Sequence, residues 1–380
     1  MKKIALLTLA LFLILSASAQ KKMVSTAQSA LEKGELDKAW EAIQAAKDND
    51  ETKALPKTWF VRGQILQAIG KSTDSKYTAL FENPIVEAYS CYQKAIDLDP
   101  KKRINKEVDL QLIELSTIAI NKAITEFNIK RFDKALDLFE LELSIETSPI
   151  YKNKIDTPMI FNCGLAAFNS KQYDKAIDYF KKAAFYNYNG GSIYSLIGNS
   201  YLLKGDTANA IAIILKGNEL YPNEISTLVD LINIYLRTGE SQEALNFLNK
   251  AKEKEPNNAS FSFAEGTLYE KMGQPDKAVI SYTNATEVDP NYYDAYYNLG
   301  VIYYNKAVKE NDSATSENDN NKYQELIKKR DQELKTGLPY MEKAHLINPK
   351  ADDAAKSLRS FYMQLLLNDK LNQLKQEMGW

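Results

Sequence analysis

One interval recurs through the middle of this chain and limits what it can fold into. Tyr201, Tyr235, Tyr269 and Tyr303 stand 34 residues apart, and the same step relates Gly205, Gly239 and Gly273, then Ala210, Ala244 and Ala278, then Pro222, Pro256 and Pro290. Within each period, apolar residues return every three or four positions in two runs separated by a glycine. That pattern describes two antiparallel helices per period, stacked on the next pair.

The slots have mechanical reasons. Bulky residues in the first run (Tyr194, Leu228, Tyr296) and the later tyrosines fill the space between paired helices. Gly198, Gly266 and Gly300, with the three alanines of the second run, fall where helix backbones must come close. Gly205, Gly239 and Gly273 end the first helix in a left-handed conformation, and the prolines stop the second.

The order bulky residue, small residue, tyrosine, glycine, alanine, aromatic or aliphatic residue, alanine, proline resembles the tetratricopeptide repeat, most specifically from Thr157 to Tyr304. Ile232, Tyr188 and Gly217 depart from it, standing for a small residue, a proline and an alanine. The resemblance implies an all-α fold: a right-handed superhelical solenoid of antiparallel helix pairs, with about eight units and capping helices at the C-terminal end.

Taken in order, residues 1–19 read as a secretory signal. Lys2 and Lys3 precede an apolar run from Ile4 to Leu15, and Ala17 and Ala19 satisfy the small-residue cleavage pattern. The run is shorter than the ~20 residues a spanning helix needs. The expectation is an exported protein of the periplasm or outer envelope of a Gram-negative bacterium, or a secreted one, with no membrane span after the signal.

A degenerate unit at 20–53 offers small and apolar slots without aromatics and reads as a partly polar cap. The unit at 56–102 carries an insertion of about 13 residues at 71–84, which leaves open a short packed turn or a mobile loop. Units follow at 116–149, 157–190, 191–224, 225–258 and 259–292. The unit at 293–350 is interrupted by an insertion at about 309–335. Its polar stretch Glu310 to Asn321 reads as an exposed loop, and Tyr323 to Lys335 as an extension of the second helix. Residues 351–380 read as capping helices.

Composition excludes several functions. Without Lys2 and Lys3, the 50 acidic residues outnumber the remaining lysines and arginines by about four, and no basic stripe exists, so nucleic acid is not expected as a partner. The single histidine, His345, and the two cysteines cannot assemble the usual zinc site or catalytic triad. Cys91 and Cys163 lie on helices of non-adjacent units and read as buried free thiols. Asn189-Gly190-Gly191 lacks the lysine and strand of a phosphate loop. Carboxylate pairs such as Glu140 and Glu142 are what solvated helix faces produce. No catalytic residue, metal ligand or cofactor is expected, and the chain reads as a non-enzyme.

The resemblance places the first helices along a concave groove. The lining positions then include Phe161, Phe168, Asn199, Asn233, Phe263, Tyr297 and Tyr304, with the two asparagines one period apart. Asparagine amides can fix the backbone of an extended peptide while aromatic rings accept its apolar groups. Some tetratricopeptide domains clamp a terminal carboxylate with basic residues on this face; Ser195, Asp230, Ser260 and Ala264 occupy those slots here, which argues against that mode.

The function expected is therefore a non-enzymatic scaffold or adaptor binding a peptide segment or protein partner, in cell-envelope assembly or maintenance. The alternative is an envelope glycan-binding protein that uses the tyrosines between Tyr292 and Tyr304 as a stacking platform. Asp206-Thr207-Ala208 and Asp312-Ser313-Ala314 resemble short sites of bacterial O-glycosylation, making Thr207 and Ser313 candidate acceptors.

Overall fold

A computed structural model describes residues 22–146, 148–152 and 155–380. The signal reading at 1–19 lies outside them. Every regular element among the described residues is a helix, so the chain is an all-α solenoid of paired helices, divided into two compact units at Asp206 and Thr207.

The first unit contains α1 (22–32), α2 (Leu36–Asp48), α3 (Pro56–Lys71), α4 (Ser75–Leu80), α5 (Pro84–Asp97), α6 (Asn105–Asn128), α7 (Phe132–Glu146), the short 3-10 turn Pro149–Tyr151, α8 (Thr157–Asn169), α9 (Tyr173–Phe185) and α10 (Ser192–Leu203). The second contains α11 (Thr207–Leu220), α12 (Ile225–Thr238), α13 (Ser241–Lys254), α14 (Ala259–Lys271), α15 (Pro275–Val288), α16 (Tyr293–Thr315), α17 (Asn320–Ile347), α18 (Asp352–Gln364) and α19 (Asn368–Met378). The division falls inside the 191–224 period.

Helix pairing rests on a ring-over-glycine contact. Tyr92, Phe180 and Tyr282, among the largest fully buried side chains, lie across Gly63, Gly164 and Gly266 of the preceding first helix. A methyl group on any of these glycines would stand 2.5–2.6 Å from the ring. The missing side chain thus admits the aromatic one, whose burial stabilises by about 1.5–3 kcal/mol. Alanines finish the close approach: Ala176, Ala183, Ala210, Ala244, Ala251, Ala278 and Ala285 are all inaccessible to water.

The turn inside most pairs is the same device repeated. Two amide donors fold back over the helix end: Gly273 to the Glu270 carbonyl at 2.9 Å and Gln274 to the Tyr269 carbonyl at 2.8 Å. Lys171 and Gln172 repeat this with the carbonyls of Phe168 and Ala167, and Lys130 and Arg131 with those of Phe127 and Glu126. The pivotal residue needs positive φ. Glycine supplies it at Gly239 (83°), whereas Lys130 (63°) and Lys171 (64°) adopt it with a side chain.

Two departures from the sequence reading, and one alternative it left open, have physical causes. The helix expected to begin at Ser116 begins at Asn105, because Val108 and Leu112 are buried and the Asp99 carboxylate accepts the Ile104 amide at 2.9 Å ahead of it. The insertion at 71–84 forms α4, capped by Asp74 and tied to α2: Lys76 pairs with Asp37 at 2.6 Å, and the Phe81 ring meets Trp40 edge-on at 4.8 Å. The expected loop from Glu310 to Asn321 is mostly helix, since α16 runs to Thr315 and α17 starts at Asn320. Ala307 and Ala314 give α16 a small-residue seam, both fully buried, while Arg330 donates to Asn311 at 3.3 Å and Asp319 caps α17. Ser313 accordingly lies on α16, exposed, its hydroxyl donated to the Lys309 carbonyl; Thr207 is the first residue of α11.

At the C-terminal end, α18 and α19 close the stack as packed helices. Phe361, Leu358, Tyr362, Leu371 and Leu374 join Leu334 and Met341 of α17 in one core.

Candidate functional site

The lining positions lie on the first helices, but their aromatics are partly buried and packed on neighbouring rings. Phe161 of α8 sits between Phe180 and Tyr188, with ring centroids 5.7 and 5.2 Å away. Phe168 meets Tyr173 at 6.0 Å. Phe263 of α14 packs against Tyr282 at 5.4 Å and stacks on Tyr292 at 5.2 Å. These rings are partly covered by their neighbours.

Tyr297 and Tyr304 of α16 have a second employer. Both pack against the core formed with α18, where the next first helix of a longer stack would lie; Tyr304 meets Phe361 at 5.3 Å and accepts a 2.7 Å hydrogen bond from Gln364. The rest of the tyrosine-rich segment is equally engaged. Tyr303 stacks on Tyr340 at 5.9 Å, and Tyr293 stacks on Tyr297 while donating to Asp353 at 2.8 Å. The segment is not an open platform.

The polar lining is more accessible. Asn199 of α10, in the first unit, is partly buried, and Asn233 of α12, in the second, is exposed. Thr267 and Glu270 of α14 are exposed too, and the buried Tyr282 reaches them from behind. Its hydroxyl donates to Glu270 at 2.5 Å and accepts from Asn298 at 3.2 Å. Burial, then the hydrogen bond to Glu270, pushes this phenol above its ordinary range and keeps it a donor. Tyr92 repeats the arrangement in the first unit, donating to Gln67 at 2.7 Å, which in turn donates to Glu114 at 2.8 Å.

Sequence reasoning missed an exposed apolar stripe in the first unit. On α6, Leu110, Ile113 and Ile124 are 67%, 47% and 48% exposed, and with Thr117 and Ile120 they form a stripe at steps of three and four. The spacing was present in the sequence; placing the helix start at Ser116 cut the stripe in half.

Glu140 and Glu142 do not mark a solvated helix face, since both are drawn into packing between helices. Glu140 binds Lys175 at 2.8 Å and the Tyr179 hydroxyl at 2.9 Å; Glu142 is buried and accepts from Ser116 at 2.8 Å. His345 is buried, 3.3 Å from Glu377. Cys91 and Cys163 are free and buried, and burial pushes the Cys163 thiol up to about 12. Among the described residues, no cluster of three or more histidine, cysteine or acidic side chains could hold a metal, and no helix is long and apolar enough to cross a membrane.

Two family models match repeats in this chain, and several solved structures resemble parts of it. Family models described as tetratricopeptide repeat and TPR repeat match residues 163–225 and 266–306. Among solved structures, YrrB, described as a TPR protein with an unusual peptide-binding site, is 19% identical over 53% of this chain and 94% of its own, with a TM-score of 0.36. A TPR repeats protein from Bacteroides fragilis is 23% identical over 65% of this chain and 98% of its own, at 0.32. MamA is 22% identical over 47% and 95%, at 0.35. Comparison with curated proteins gives no match. With helix pairs of this period and these two family matches, the chain is a tetratricopeptide-repeat protein. Such repeats build protein-interaction scaffolds, and that is the class of function the fold defines.

Proposed function

We propose that this chain is a non-enzymatic adaptor, exported to the cell envelope, that holds a peptide segment or partner protein along its first-helix faces. The observation that carries the reading is the exposed lining: Leu110, Ile113 and Ile124 in the first unit and Asn233 in the second are accessible side chains that the packing of helix pairs does not consume, and Thr267 and Glu270 are exposed where Tyr282 meets them. Apolar side chains exposed in a row on a repeat protein's first helices favour an occupant, because a water-facing stripe stabilises nothing in the free chain. Phe161, Phe168 and Phe263 lie on the same first helices, partly exposed, and Asn199 and Asn233 supply amide groups for a peptide backbone. Tyr297 and Tyr304 contribute less, since α18 packs on them. The leader pattern at 1–19 supports export, and a role in envelope assembly or maintenance follows from that location.

The glycan reading loses its main support, because the tyrosines from 292 to 304 spend their faces on one another and on Phe263, Tyr340 and Phe361. The two readings separate in one experiment: affinity capture from an envelope extract with the wild-type chain and with a Leu110→Glu, Ile113→Glu, Ile124→Glu variant, beside a glycan array. A protein captured by the wild type and lost by the variant supports the adaptor; glycan binding that the variant retains, with no captured protein, rejects it.

A further inference from the structure

The insertion at 71–84 does more than lengthen a turn, because it walls a cavity of about 120 Å³ against the α6–α7 pair. Ile69, Phe81, Pro84, Ile85 and Leu138 supply apolar lining, and Lys122, Arg131 and Lys134 with Glu82 and Glu126 supply charged lining. Arg131 is taken, its guanidinium 3.6 Å from the Glu126 carboxylate. Lys122 and Lys134 are partly buried and have no carboxylate within ion-pair distance among the described residues. With Glu126, whose Oε2 is buried, and the exposed Glu82 set against Lys122, Arg131 and Lys134, the lining carries an excess of one positive charge beside its apolar residues. The inserted segment is held in place by the Trp40–Phe81 contact, the Lys76–Asp37 pair and a 2.8 Å hydrogen bond from Asn83 to Asp137.

We propose that this cavity binds a small organic monoanion with an apolar body, a carboxylate on an aliphatic stem, with Lys122 and Lys134 holding the carboxylate and Ile69, Phe81, Ile85 and Leu138 enclosing the stem. The chemistry follows from the two kinds of lining. A carboxylate satisfies both ammonium groups through charge-assisted hydrogen bonds, and the apolar lining excludes a ligand that is charged throughout. The site is independent of the first-helix faces: Lys122 and Glu126 lie on the side of α6 turned away from the Leu110–Ile124 stripe.

Titration calorimetry on the full chain tests it with three probes: octanoate, octanol and inorganic phosphate. Octanoate binds, and octanol, without the charge, and phosphate, without the stem, each bind at least about tenfold more weakly. A Lys122→Gln, Lys134→Gln variant loses octanoate affinity by at least about tenfold while its thermal melt is unchanged, a factor in keeping with the loss of charge-assisted hydrogen bonds. A photoreactive octanoate analogue labels wild-type peptides spanning 69–85 and 122–138. Absence of octanoate binding, equal binding of octanol, an unaltered affinity in the double variant, or labelling elsewhere on the chain would overturn the proposal.

Discussion

A Cβ placed on Gly266 would stand 2.5 Å from Cε1 of Tyr282, so these two residues set how closely α14 and α15 approach. The phenol then passes between the helices and ends on Glu270 and Asn298 at the first-helix face. A packing contact and a surface feature are thus one residue.

Gly266→Ala is therefore expected to destabilise the second unit by ~1–3 kcal/mol, the cost of forcing a ring off its rotamer or a helix outward. Paired with Tyr282→Ala, the same substitution costs less, because its obstacle is gone. A double-mutant cycle read by urea unfolding checks this, and additive effects would count against the contact.

The left-handed turn gives a change of opposite sign. Lys171 holds φ at 64° where the corresponding turn of α12–α13 uses Gly239. Lys171→Gly should stabilise by up to ~1 kcal/mol, and Gly239→Ala, with nothing within 4 Å of its would-be methyl, should destabilise by ~1 kcal/mol through backbone strain alone. Thermal melts of both variants check the pair; a Lys171→Gly melt lower than wild type would show that the lysine's side chain matters more than its backbone.

The features legible in the sequence were those that repeat. Glycines, alanines and tyrosines one period apart mark where backbones touch and where a turn needs positive φ, so the helix pairs between Thr157 and Tyr304 are readable from the repeat. Illegible were the places where tertiary packing overrides composition. The polar run Glu310 to Thr315 is helical because Ala314 locks onto α17, a contact that polarity hides. The site was half legible for the same reason. Register fixes which residues face outward, but not that Phe263 would spend its face on Tyr292 or that α18 would pack on Tyr304.

Ala244 is fully buried where α13 packs in the core with Leu228, Leu248 and Leu268. Ala244→Leu is expected to cost ~1–3 kcal/mol by overpacking, whereas the same change at the exposed neighbour Asn246 should cost little. Comparing the two urea midpoints separates packing from leucine content; equal midpoints would contradict the repeat register.

Cys163 gives a pH signature. Burial raises its thiol from 9.0 to about 12, so the folded chain keeps the proton that the unfolded chain releases. The resulting stability is fully present below pH 9.0 and is lost as pH rises toward 12, at up to ~1.4 kcal/mol per unit. Urea midpoints of wild type and Cys163→Ala at pH 8 and pH 10.5 check the sign: the wild type should lose more stability over the interval. Parallel losses would show the thiol to be exposed.

The claim that the first-helix faces hold the partner is tested most directly by site-specific photocrosslinking in the envelope. A photoreactive residue is placed in turn at Ile113, at Asn233 and at Ile280, the last exposed on the second helix α15. The account predicts a shared crosslinked partner from Ile113 and Asn233 and none from Ile280. Crosslinks from Ile280 alone would contradict it.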